Sequence, residues 1–141
     1  METIIISAFC GTGKSYLSTN HSDECAEVEC WNYRKESDFP HNYIKAVLEK
    51  VGKVKYLLIS TDPNILKELI KQVDQITLIY PDNSLKEEYM KRYCQRKSPY
   101  DFIGVLYMHW DEWLNDLKQQ DYCKHIVLNS GQYLSDVIFV S

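Results

Sequence analysis

Apolar residues along this chain alternate between short dense runs and longer stretches at helical spacing. Thr3–Ala8 is a short apolar run ending in a glycine-rich turn, which predicts a buried parallel strand, and residues 14–19 continue as a helix. A second strand is expected at Ala26–Cys30. Tyr43, Ile44, Val47, Leu48 and Val51 then recur at helical spacing, and Gly52 stands where a helix ends. Lys55–Thr61, centred on Tyr56-Leu57-Leu58-Ile59, predicts a third strand. Asp62 is the expected N-cap of the following helix, with Pro63 at its first position and Ile65, Leu66, Leu69, Ile70 and Val73 on its buried face. Gln75–Tyr80 reads as a strand stopped by Pro81. Ser84 and Glu87 have capping-box spacing for a helix running to about Arg96. Ser98-Pro99 begins another, whose apolar face is Phe102, Ile103, Leu106, Trp110, Trp113, Leu114 and Leu117. His125–Leu128 is the last expected strand, and Ser130-Gly131 turns the chain.

Short strands separated by amphipathic helices predict an α/β fold of three layers. The expected sheet has about five mainly parallel strands flanked by helices, joined by right-handed crossovers, in one domain over residues 1–141. Composition changes this picture little. The 45% hydrophobic and 26% charged content is that of a globular chain. A net charge of −4 with no basic stripe argues against an extended nucleic-acid footprint, though a local basic pocket for one nucleotide fits. The apolar runs are too short to span a bilayer and no secretory pattern opens the chain, so the expected location is cytoplasmic. Five cysteines without a CxxC read as reduced thiols rather than a disulfide framework.

The chemistry is concentrated in Ala8-Phe9-Cys10-Gly11-Thr12-Gly13-Lys14-Ser15. This fits the P-loop pattern GxxxxGK[ST] with Ala8 in place of the first glycine, and it lies between an expected strand and an expected helix. Backbone N–H groups of such a loop wrap a β-phosphate, and the helix N-terminus adds partial positive charge. Lys14 would reach the β- and γ-phosphates and Ser15 would help hold Mg²⁺. The expected nucleotide-binding residues are Cys10, Gly11, Thr12, Gly13, Lys14, Ser15 and Tyr16.

Other candidates have two readings each. Asp62 either caps its helix or approaches Mg²⁺ through water. Arg92 and Arg96, four apart, share a helix face near Lys86, where they clamp a transferring phosphoryl group or form a solvated face with Glu88. Glu29 orients an acceptor hydroxyl or a metal-bound water, or is a surface carboxylate. Arg34-Lys35 follows the second strand, where a phosphate acceptor would sit. Trp31 and Tyr33 are candidates to stack on an acceptor base, whereas Trp110 and Trp113, at helical spacing with Leu106 and Leu117, read as core.

The runs SAFCGTGKS, DFPHNYI, YPDNSLKEEYMKRYCQR, WDEW and IVLNSGQYLSDVI, in that order over nearly the whole chain, resemble a family of small bacteriophage and prophage P-loop proteins described as nucleoside- or deoxynucleoside-monophosphate-kinase-like. The resemblance implies a kinase-like sheet, a reduced lid formed by the helix carrying Lys86, Arg92 and Arg96, and passage of Ser130-Gly131-Gln132-Tyr133, with Gln132, near the nucleotide base. Members of that family carry an Asp/Ser-rich stretch after the second strand. Here the segment reads Glu27-Val28-Glu29-Cys30-Trp31-Asn32, with Glu29 in the acidic place and no serine.

These readings lead to an ATP- and Mg²⁺-dependent phosphotransferase acting on a nucleoside or deoxynucleoside monophosphate, in a host cytoplasm if phage-encoded. Its expected catalytic residues are Lys14, Arg92, Arg96 and Glu29, with Ser15 and Asp62 at the metal. Two alternatives stay open: a nucleotide-binding or sequestering protein acting on host metabolism or defence, and a kinase for a non-nucleotide acceptor.

Overall fold

The structure is a computed structural model that describes residues 1–139. In chain order its elements are β1 (Ile4–Ala8), α1 (Lys14–Asn20), β2 (Cys25–Val28), α2 (His41–Lys50), β3 (Tyr56–Ile59) and α3 (Pro63–Leu69). There follow β4 (Ile76–Pro81), a 3₁₀ turn (Asn83–Leu85), α4 (Lys86–Gln95), α5 (Tyr100–Gln119), β5 (Lys124–Leu128) and α6 (Leu134–Ile138). The five strands form one wholly parallel sheet in the order β2-β3-β1-β4-β5.

The dense apolar runs are explained by burial on both sheet faces. Side chains alternate across a strand, so each central strand must supply two cores. Ile5, Leu57, Ile59, Leu78 and Tyr80 enter one core, with the buried faces of α2, α3, α4 and α5. Ile6, Ala8, Tyr56, Leu58 and Ile79 enter the other, with Leu17 of α1 and Leu134 of α6. Helices thus cover both faces of a parallel sheet, the three-layer arrangement expected from the sequence. Among the described residues no helix is long and apolar enough to cross a membrane.

Two local expectations change. The capping box assigned to Ser84 and Glu87 is replaced by Asp82, whose carboxylate accepts from both the backbone N–H (2.9 Å) and the hydroxyl of Ser84. With its hydroxyl donating to Asp82, Ser84 sits inside a 3₁₀ turn rather than before a helix. The C-terminal turn continues into α6, which the apolar pattern missed because five residues are too few to display a period.

The strand order places the site. β1 lies in the middle, and successive connections leave it on opposite sides, towards β2 and β3 and then towards β4 and β5. In open parallel sheets the crevice beyond the carboxyl ends of the strands at such a reversal is where ligands bind. The segment that follows β1 is the glycine-rich one.

Candidate functional site

Ala8 ends β1 as a buried strand residue and Lys14 begins α1, so residues 9–13 make the whole turn between them. Gly11 (φ +87°) and Gly13 (φ +106°) occupy backbone conformations that disfavour side chains, which accounts for both glycines. Thr12 is fully buried, and its hydroxyl donates to the Phe9 carbonyl at 2.7 Å, bracing the turn from within. Lys14 Nζ donates to the Ala8 carbonyl at 2.7 Å, folding the side chain back along the loop. Tyr16 is exposed and lies beside His21.

A cavity of about 510 Å³ opens above this turn, lined among others by Gly11, Lys14, Ser15, Glu27, Glu29 and Arg96. The Ser15 hydroxyl donates to Glu27 Oε1 at 3.2 Å. Burial raises the Glu27 carboxyl above its ordinary value and the nearby Glu29 adds to this, while Lys14 and the Ser15 and Ser18 hydroxyls pull it back. The sequence singled out Glu29, which lines this cavity too; Glu27 was not singled out, although both glutamates fell in the strand expected at Ala26–Cys30. The hydroxyl–carboxylate pair of Ser15 and Glu27 is a hard-oxygen donor set of the kind that suits a hydrated Mg²⁺.

A second cavity of about 550 Å³ adjoins the first, sharing Cys10, Cys30, Trp31, Ser60, Thr61 and Phe102 with it. Its remaining walls are largely apolar, from Phe9, Pro63, Leu106, Trp113 and Leu117, with Arg34, Asp62 and Asp116 as the charged groups. Buried Tyr43 braces the strand ends beneath: its hydroxyl donates to the Val28 carbonyl and accepts from the Ser60 N–H. Burial pushes this phenol well above its ordinary value. Trp110 is core as expected; Trp113 packs against the same core at its edge and, with Phe102, also lines the cavity. Leu106 and Leu117 are buried and line this cavity too, and a helix period cannot mark where the core stops and a cleft begins.

Three expected site residues are placed differently. Asp62 is a helix cap, accepting from the Asn64 N–H at 2.9 Å, and it pairs with Arg34 at 2.6 Å. It lines the second cavity beside a guanidinium, whereas Ser15 lines the first and meets Glu27. Arg92 is 8% exposed and its guanidinium donates to the carbonyls of Gly11 (2.8 Å) and Gln132 (3.0 Å) and to Glu88 (3.1 Å). Tyr89 and Tyr133 cover it, the Tyr133 ring 3.9 Å away. These bonds hold it against the loop backbone, and it is not among the residues lining the cavity. Arg96, one turn further along α4, lines the cavity; Lys86 lies over Tyr107, on the side of α5. Gln132 turns its side chain inward to accept from the Asn129 N–H at 2.8 Å, closing the turn after β5.

No family model and no curated protein matches the chain. Among solved structures it is similar to a gluconokinase from Sinorhizobium meliloti 1021, with a TM-score of 0.58 over 97% of this chain and 87% of that one. The fold is that of P-loop kinases. At 15% sequence identity the likeness is one of fold.

Proposed function

We propose that the protein transfers the γ-phosphoryl group of ATP to a nucleoside or deoxynucleoside monophosphate. The observation that carries this reading is the junction of two cavities, one polar above the P-loop and one aromatic-walled beside it. Lys14, now bonded to the Ala8 carbonyl, would bind the nucleotide phosphates, and Ser15 with Glu27 would hold Mg²⁺. Held there, Mg²⁺ would supply neutralisation of phosphate charge. Arg96 faces the same space and offsets charge on the moving phosphoryl. Glu29, at the rim, orients the acceptor, and Arg34 offers a fork for its phosphate. The acceptor phosphate is itself the nucleophile, so positioning and charge suffice.

A nucleotide suits the second cavity better than a sugar acid does. Trp31, Phe102 and Trp113 offer faces on which a base can stack. A polyhydroxylated acceptor would set its hydroxyls against Phe9, Leu106 and Leu117, whose side chains cannot hydrogen-bond. The family resemblance in the sequence points the same way.

The test is ADP formation with ATP, Mg²⁺ and each common NMP and dNMP in turn. One acceptor should stimulate turnover, and Lys14→Ala should lower ATP affinity about a hundredfold through loss of a charge-assisted hydrogen bond. Unchanged ATP binding in that variant would sink the P-loop reading. A second reading, nucleotide retention without transfer, is favoured by the commitment of Arg92 to the back of the loop, which leaves Arg96 as the α4 arginine facing the phosphates. ATP binding without stimulation by any acceptor is its signature.

A further inference from the structure

Three consecutive carbonyls of the P-loop are held from outside it. The Tyr93 hydroxyl donates to the Cys10 carbonyl at 2.8 Å, Arg92 Nη1 donates to the Gly11 carbonyl at 2.8 Å, and the Leu134 N–H donates to the Thr12 carbonyl at 2.9 Å. A trans peptide points its C=O and its N–H in opposite directions. Fixing these carbonyls therefore turns the N–H groups of Gly11, Thr12 and Gly13 away from Tyr93, Arg92 and Leu134; of the three residues Gly11 lines the cavity, beside Lys14 and Ser15. Among the described residues, none of these three N–H groups has a hydrogen-bond acceptor. Successive free N–H groups aimed at one space form an anion nest.

The outer braces are themselves tied together. Arg92 Nη2 also bonds Gln132 and Glu88, and Glu88 accepts from the Ser130 hydroxyl (2.6 Å) and the Gly131 N–H (3.0 Å). Those two bonds, with Arg92, hold the Glu88 carboxyl below its ordinary value, so it stays charged across the neutral range. The Tyr93 ring packs so closely that a Cβ on Gly11 would fall 2.8 Å from its Cε1.

We propose that Tyr93 and Arg92 are positioning residues for phosphate: α4 sets the P-loop in its anion-binding geometry before any nucleotide arrives. A preformed nest spares the ligand the cost of ordering the loop, so the braces act on affinity although neither side chain touches the phosphates. This inference rests on the P-loop reading above.

Tyr93→Phe removes one hydroxyl and keeps the ring. Calorimetry with inorganic tripolyphosphate and with ADP should give affinities about fivefold weaker than wild type, the effect of one net hydrogen bond. The thermal midpoint of the free variant should stay within a few degrees of wild type. A merely structural role would not move a second readout, the amide resonance of Gly11, which shares a peptide with the Cys10 carbonyl. Its shift on adding tripolyphosphate should shrink in Tyr93→Phe, while that of Thr12 should shrink in Arg92→Lys. The lysine keeps the charge but cannot span Gly11 and Gln132 together, and it carries the test if Tyr93→Phe does not fold. Wild-type affinity and wild-type amide shifts in the folded variants would overturn the inference. A wild-type protein that binds neither ADP nor tripolyphosphate would overturn the P-loop reading and this inference with it.

Discussion

Glu27 illustrates how a carboxylate lining a cavity is kept at some cost to the fold. It sits in β2 with its carboxyl against Ser15, and burial raises its pKa above the ordinary value of 4.5. The folded chain therefore holds that proton more tightly than the unfolded chain does. Stability from this group is full below pH 4.5 and is lost as pH rises through the raised pKa. Glu27→Gln should accordingly raise the thermal midpoint of the ligand-free protein at neutral pH, and the gain should vanish below pH 4.5. The same variant should weaken Mg²⁺-dependent ADP binding, because a neutral amide is a poorer partner for a hard cation. A variant that loses stability at neutral pH, or binds Mg·ADP as wild type does, would remove Glu27 from the metal side of the site.

At the scale of elements, α4 carries the most consequence. Its N-terminal part holds Glu88, its middle braces the P-loop through Arg92 and Tyr93, and its end presents Arg96 to the cavity. The helix closes in a Schellman motif: the Ser98 N–H reaches the Tyr93 carbonyl at 2.9 Å and the Lys97 N–H reaches the Cys94 carbonyl at 3.0 Å. Lys97 takes the left-handed position of that motif, with φ +59°, where glycine is favoured. Lys97→Gly should stabilise the protein by about 1 kcal/mol in urea unfolding, since it relieves the left-handed penalty of a side chain. Polyphosphate affinity should not change, because Lys97 lines neither cavity. A destabilised variant would mean that the lysine side chain holds the turn.

For the molecule as a whole, the question is whether the two adjoining cavities act as one reaction chamber. Trp31 belongs to both, is 68% exposed and lies after β2 with Lys35 over its ring, so its removal should spare the core. Trp31→Ala should raise the KM of the nucleotide acceptor about tenfold through lost stacking and leave the affinity for ADP unchanged. Equal losses for donor and acceptor would argue that the second cavity is no acceptor site.

The linear sequence by itself determined the alternation of strands and helices, the parallel sheet and the P-loop. Each is a local property: burial on both faces demands dense apolar strands, and a phosphate-wrapping turn demands glycines followed by lysine and serine. Asp62 was legible as a cap for the same reason, because its partner lies two residues away. Only the tertiary structure decided the rest. Arg92 and Arg96 share a helix face and are equivalent by spacing, yet one meets the Gly11 carbonyl 81 residues earlier and the other meets open cavity. Glu27 reaches Ser15 because α1 packs beside β2, and Trp113, at the edge of the core, lines a cleft. Spacing along a chain fixes which side chains share a face, but not what the fold brings opposite that face, and charge and hydrogen bonding act across that gap.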